Sequence, residues 1–234
     1  MASRRGLIHC HSSYSYDCAV SPRRILQFAM SESLDFLILT DHDTIAGSLA
    51  LRDEVERRNL QLEVPIAAEY KTSHGDIIAA FIEHEIVSRE LESFVAEVRK
   101  QNGLLLLPHP YDHHKDVELL ATQVDLIEVF NSRSSADHNS ASAELANRTS
   151  KPGYWAPDAH IPSTLGKALI TVSGSGSLRY SLENETITPL SATRASRSDL
   201  WLSQYVKAFK TKSPRLFFRL SMTIALSLLR QAIG

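Results

Sequence analysis

Short apolar runs at 7–11, 36–40, 64–68, 77–82, 104–108, 126–130, 153–155 and 168–172 alternate with amphipathic stretches at 22–32, 45–58, 88–101, 117–121 and 135–149. That alternation constrains the fold more than any other feature of the chain. Apolar runs of this length read as strands, and apolar spacing of three and four between them reads as helix. Ser21-Pro22 opens the first helix with a cap residue and a proline at the first helical position, and Asn102-Gly103 closes another. Repeated β-α units favour a mainly parallel sheet, either closed as a barrel or doubly wound. With 234 residues, 43% of them hydrophobic, there is enough chain for one such domain and its core.

Groups able to bind metal fall at the strand ends. His9 and His11 end the first run, Asp17 lies in the loop after it, and His42, within Thr40-Asp41-His42-Asp43, follows the second. Glu69 follows the third, His109 follows 104–108, Asn131 follows 126–130, and Asp158 and His160 follow 153–155. In an extended run, alternate side chains share a face, so His9 and His11 are expected to point the same way. In a parallel barrel the carboxyl ends of the strands converge on one mouth. His74, His84, His113, His114 and His138 have the scattered placement expected of chance and are set aside. His9, His11, Asp17, His42, Glu69, His109, Asp158 and His160 make eight donors, too many for one ion. Imidazoles and carboxylates without thiolates suit two or three divalent ions, Mn, Fe or Zn, in a hydrolytic site. Such a cluster can turn a bound water into hydroxide and clamp phosphoryl oxygens. Cys10, between two of the donors, reads as core.

In chain order, H-x-H-S at 9–12, Asp17, T-D-H-D at 40–43, Ala68-Glu69, Pro108-His109-Pro110 and Pro157-Asp158-Ala159-His160 resemble the polymerase and histidinol phosphatase (PHP) family. The resemblance spans about 7–172. It implies an α/β fold, a distorted (β/α)7 barrel with a metal cluster at the C-terminal mouth of its strands, acting on phosphoesters. It also implies a ligand scheme. His9, His11, Glu69 and Asp158 would hold one ion, Glu69 would bridge to a second near His109, and Asp17, His42 and His160 would hold the remaining one. Asp158 would in addition orient the attacking water or accept its proton. The chain departs from trinuclear relatives in carrying Asn131 where they often have a histidine, and in having no histidine within Ile77-Ile78-Ala79-Ala80. The ion near His109 is therefore expected to be the weakest held. Glu128-Val129-Phe130-Asn131-Ser132-Arg133 resembles the smaller stand-alone phosphoesterases, with Asn131 and Arg133 as substrate contacts and Arg133 on a phosphate.

The expected activity is hydrolysis of a small phosphomonoester, nucleotide or short oligonucleotide. The alternatives are a non-phosphate metallohydrolase, or a non-catalytic metal-binding scaffold that engages a partner through its C-terminal tail. A net charge of −2 gives no global attraction to nucleic acid or anionic membrane. Two cysteines do not make a disulfide framework, the first residues lack a signal-peptide core, and no run of about 18 apolar residues exists, so a cytoplasmic location is expected. Nothing in the sequence sets the oligomeric state. The barrel is assigned to residues 1–190, and 191–234 to a basic amphipathic helical extension packed on it. From Ser196 onward the only acid is Asp199, while Arg215, Arg219 and Arg230 flank an apolar stretch with Leu220, Ile224 and Leu228 at helical spacing. Packing against the barrel explains that pattern without a membrane or nucleic acid. As no expected ligand lies beyond His160, a chain cut after Ser191 is expected to be less soluble and less stable yet to keep its activity per folded molecule.

Overall fold

The computed structural model describes residues 3–233, with side chains as far as Ala225, so that the side chains of Leu228 and Arg230 lie outside what it describes. The first half runs β1 (Ser3–Cys10), α1 (Pro22–Ser31), β2 (Phe36–Leu39), α2 (Ala46–Arg57), β3 (Ala67–Thr72), β4 (Gly75–Ala80), α3 (Leu91–Lys100) and β5 (Leu104–Leu107). It continues through α4 (Val117–Gln123), β6 (Leu126–Asn131), α5 (Ala136–Thr149), β7 (Gly153–Ala156), β8 (Ala168–Ser173), α6 (Leu178–Asn184), β9 (Ile187–Ala192), α7 (Arg197–Lys210) and α8 (Pro214–Ile233).

The strands form two sheets, ordered β2-β1-β8-β9 and β3-β4-β5-β6-β7, rather than one closed barrel. The expected α/β class holds, but the closed (β/α)7 ladder is absent among the described residues. Among the described residues, the ladders give way at the seams to isolated bridges, Phe36 with Glu63, His42 with Glu69, and Cys10 with Ala159. Among the described strands the pairs β1–β2, β5–β6 and β6–β7 are parallel, as are the isolated bridges. The pairs β3–β4, β4–β5, β1–β8 and β8–β9 are antiparallel. For β3 and β4 the reason is local: only Ser73-His74 separates Thr72 from its partner Gly75, and so tight a turn reverses the chain.

Three apolar layers hold the elements together. Ile8, Phe36, Ile38, Ile78, Leu104, Leu106 and Tyr154 fill the space between the sheets. Leu7, Leu37 and Leu39 face the other way, onto Ile25 and Leu26 of α1 and Leu51 of α2. Leu105 and Leu107 likewise face Phe94 of α3, Leu120 of α4 and Leu145 of α5. Strands covered on both faces need apolar side chains at every position, which is why Leu104–Leu107 reads as an unbroken run. Each such leucine contributes roughly 1.5–3 kcal/mol by burial.

Two strands differ from the sequence reading in ways that matter for the site. β3 begins three residues later than the run at 64–68, so Glu69 lies within a strand and not after one. β1 does not stay regular to its end: its register with β2 shifts between Ile8 and Cys10, and His9 has φ 65°. β9 escaped the sequence reading because Pro189 and its polar neighbours depress strand propensity, which an edge position tolerates. It pairs with β8 up to Ala192, beyond the residue-190 boundary expected for the extension. No helix among the described residues is long and apolar enough to cross a membrane.

Candidate metal centre

His9 and His11 converge, but simple alternation along a strand is not the cause. The bulge at His9 turns its ring into the interior, where the His9 and His11 ring centres lie 5.4 Å apart. His109 and Asp158 also have left-handed backbone, at φ 28° and 48°. Three of the eight expected donors thus occupy conformations that cost a non-glycine residue of order 1–3 kcal/mol each, strain that tends to concentrate at functional sites.

All eight expected donors meet at one end of the strands. His9 Nε2 lies 3.4 Å from both Glu69 Oε2 and Asp158 Oδ1, and His11 Nε2 lies 3.4 and 3.3 Å from the same two oxygens. Asp17 Oδ2 is 3.4 Å from His42 Nε2 and 3.3 Å from His160 Nε2. His109 Nε2 is 3.1 Å from Glu69 Oε1, and His42 Nδ1 is 3.3 Å from Glu69 Oε2. Most of these separations are long for hydrogen bonds. Two ligands of one ion with bonds of about 2.0–2.2 Å lie about 3.0–3.6 Å apart, which is the spacing seen. His9 Nε2, His11 Nε2, Glu69 Oε2 and Asp17 Oδ1 are buried without any hydrogen-bond partner, an arrangement costly unless a cation completes it. Three groups could each hold an ion: His11, Asp17, His42 and His160; His9, Glu69 and His109; and His9, His11 and Asp158.

The charge state of these groups fits a cation site. Burial opposes ionisation of Glu69, yet His9 and His42 outweigh it and hold its carboxyl well below the usual range. Asp158 is likewise lowered, against its burial, by His9 and Arg133, and Asp17 by the neighbouring His160 and His42. Burial disfavours protonation of His42 and His109, but the carboxylates around them, Glu69 foremost, push both up to about 9. His11 goes the other way, to about 3, through burial and the neighbouring His160 and His42. Without metal, the carboxylates keep their charge and recruit protons onto imidazoles. Divalent ions would compete for the same positions.

A supporting shell surrounds the donors, and most of it was invisible in the motifs. Glu128, buried within β6, accepts from His9 Nδ1 at 2.8 Å, from the His109 backbone N–H at 2.6 Å and from Asn131 Nδ2 at 2.9 Å. A carboxylate on Nδ1 fixes the tautomer that leaves Nε2 free as a ligand. The signal for Glu128 was its position as the lone acid in Leu126-Ile127-Glu128-Val129-Phe130. Asp41 accepts from the Ser12 N–H and hydroxyl, both at 2.6 Å, and from Ser15 Oγ, which also meets His11 Nδ1 at 3.2 Å. Helix α2 passes so close that a Cβ on Gly47 would lie 1.8 Å from Asp41 Oδ2, so only glycine fits there.

Above the donors opens a cavity of about 400 Å³ whose lining includes Asp76, Asp112, His113, Asn131, Arg133 and Lys207. Asn131 spends its amide on the protein: Nδ2 donates to Glu128, and Oδ1 accepts from the Arg133 N–H at 2.8 Å. Arg133 places Nε 3.3 Å from Asp158 Oδ2 and Nη1 3.0 Å from His160 Nδ1. Of the histidines set aside, His113 lines the cavity and His114 packs 5.4 Å from the His109 ring, while His138 bonds Asp112 at 2.7 Å. Leu200, Gln204 and Lys207 of α7, within the expected extension, line one wall of the cavity. Cys10 and Cys18 are buried free thiols, Cys10 in the core as expected.

The fold recurs in solved structures. A two-domain protein from Bacteroides vulgatus, containing a predicted PHP-like metal-dependent phosphoesterase, superposes with a TM-score of 0.70 at 17% identity, over 88% of this chain and 70% of that one. The fold is that of the PHP-like phosphoesterases. PsfC from Pseudomonas syringae PB-5123 matches with a TM-score of 0.64 at 17% identity, over 91% and 99% of the two chains. An amidohydrolase from Chromobacterium violaceum matches with a TM-score of 0.54 at 16% identity, over 68% and 89%. In sequence, uncharacterized protein MJ1587 of Methanocaldococcus jannaschii is 31% identical over 147 residues, 53% of this chain and 80% of its own length, and the two chains belong to one family. No family model matches this chain.

Proposed function

We propose that this chain is a metal-dependent phosphoesterase that hydrolyses a small phosphomonoester, a nucleotide or a short oligonucleotide. One observation carries the reading: a single cavity joins a floor of imidazoles and carboxylates at ligand spacing to two cations, Arg133 and Lys207. The floor suits divalent metal and the cations suit a phosphate.

His9, His11, Glu69 and Asp158 would hold one ion, Asp17, His42 and His160 another, and Glu69 with His109 a third and weaker one. Mn, Fe or Zn match this donor set, and when bound they supply Lewis acidity and a water that ionises near neutral pH. The chain's own groups do the rest. Arg133 offers a planar donor fork to a substrate phosphate beside Asp158. Asp158, kept ionised by the charges around it, orients the attacking water, and its lowered pKa disfavours storing that proton for long. Asn131 holds Glu128 and the Arg133 backbone in register and so sets the rim on which substrate rests. The buried free thiols of Cys10 and Cys18 support a reducing, cytoplasmic setting.

The amidohydrolase of like fold makes a non-phosphate metallohydrolase the second reading. The test is turnover by the Mn-loaded protein on an aryl phosphate, a nucleotide panel, and a set of amides and lactones. Phosphate release from at least one phosphoester is expected. Turnover confined to amides or lactones would favour the second reading, and a metal-loaded protein inert on the whole panel would leave a scaffold.

A further inference from the structure

Helix α7 lies beyond every motif that points to the metal centre, yet it is fastened to that centre along its whole length. At its start, Asp199 completes a capping box with Ser196 and also accepts from Ser163 Oγ at 2.9 Å, a residue just past His160. Midway, Ser203 is buried and accepts from Arg133 Nη1 at 3.3 Å. At its end, Lys210 Nζ donates to the carbonyls of Ser13, Ser15 and Cys18, so all three ammonium hydrogens are used on the loop that carries Asp17. These contacts leave α7 no freedom to present another face. Leu200, Gln204 and Lys207, at spacings of four and three, line the cavity.

Lys207 is the cation this arrangement delivers. Its Nζ lies 3.6 Å from Asp17 Oδ2 and 4.9 Å from the centre of the Tyr16 ring, with no hydrogen-bonding partner closer among the described residues. Asp17 is already approached by His42 and His160, so a bound ion there would satisfy its charge without Lys207. An ammonium held at the cavity wall by a fastened helix then lacks an anion of its own.

We infer that α7 is part of the substrate site and that Lys207 is a phosphate-binding residue working with Arg133. This rests on the phosphoesterase reading and deepens it, because the segment after β9 then helps select the substrate.

The test uses the full chain loaded with Mn and inorganic phosphate as the probe, read by calorimetry, with metal content measured on the same samples. Lys207→Met should weaken phosphate binding at least tenfold while metal content stays at the wild-type level, and Lys207→Arg should restore most of it. Phosphate affinity within twofold of wild type in Lys207→Met would overturn the inference. So would a loss of binding that tracks a loss of metal, which would make Lys207 a support for Asp17, or a wild-type protein that does not bind phosphate. A wild type that binds phosphate through Lys207 yet turns over no phosphoester would sink the enzymatic reading and leave this one standing.

Discussion

The floor and the α7 wall of the cavity are built on different terms. The floor is set by the sheets: His9, His11 and Glu69 are buried, and sheet register, a bulge and the Glu128 and Asp41 networks fix where they point. The wall is a half-exposed helix held by single hydrogen bonds to Ser163 and Arg133 and by one lysine on three carbonyls. Buried polar groups without partners make the floor intolerant of change, whereas solvent can replace much of what the wall loses. On the proposed reading, chemistry would depend on the floor, and selectivity could vary at the wall without disturbing it.

Substitutions should separate the two by size of effect. Asp158→Asn keeps the shape but removes the charge that faces His9, His11 and Arg133. It should lower kcat by roughly 10²–10⁴-fold with the fold intact by circular dichroism. Equal kcat in the variant would remove Asp158 from the chemistry. Glu128→Gln leaves every expected donor in place but weakens the hold on His9 Nδ1, and should cost about 10–100-fold in metal affinity by competition with a chelator. An unchanged affinity would mean that the bulge alone orients His9.

Protons sharpen the same contrast. His42 and His109, pushed up to about 9, hold protons at neutral pH in the metal-free protein and must lose them to ligate. Apparent metal affinity should then fall as pH drops below about 9, by about tenfold per pH unit for each proton displaced. Proton release on adding metal in weak buffer checks this, and a pH-independent affinity from 6 to 8 would contradict it. The smallest effect belongs to the wall. Lys210→Met leaves three carbonyls to water and should cost about 1 kcal/mol in a denaturant titration. It should also weaken the ion at Asp17 more than the ion at His9, and an equal loss at both would mean that α7 supports the whole centre.

The floor was legible in the sequence because most of its donors sit in or just past strands that could be recognised from their own residues. Leu104–Leu107 announces a buried strand, and that fact alone places His109, two residues past its end. The convergence of His9 and His11 was anticipated for an incomplete reason, since alternation predicts it and a bulge delivers it. The closed barrel failed because ring closure depends on pairing between residues far apart in the chain, such as Cys10 with Ala159, where isolated bridges stand in place of a ladder. Lys207 gave no local signal at all, because a lysine on an amphipathic helix reads as a solvated face. Only the fastening by Lys210 and Asp199 turns it inward.

The α8 helix marks the far end of that gradient. It packs on α7, with Phe217 5.3 Å from the Tyr205 ring and Ser221 Oγ 3.0 Å from the Tyr205 hydroxyl. Phe218 and Met222 are exposed, while Leu220 and Ile224, at helical spacing, are half-buried.

The central claim is that the convergent imidazoles and carboxylates hold at least two divalent ions joined through Glu69, and elemental analysis tests it most directly. Protein purified without chelator and reconstituted with Mn should carry two or three ions per chain. Glu69→Ala should lose at least one of them and lower phosphoester turnover roughly 10³-fold while remaining folded. One ion or none in an active wild type, or a Glu69→Ala protein with full metal content and full activity, would contradict the account.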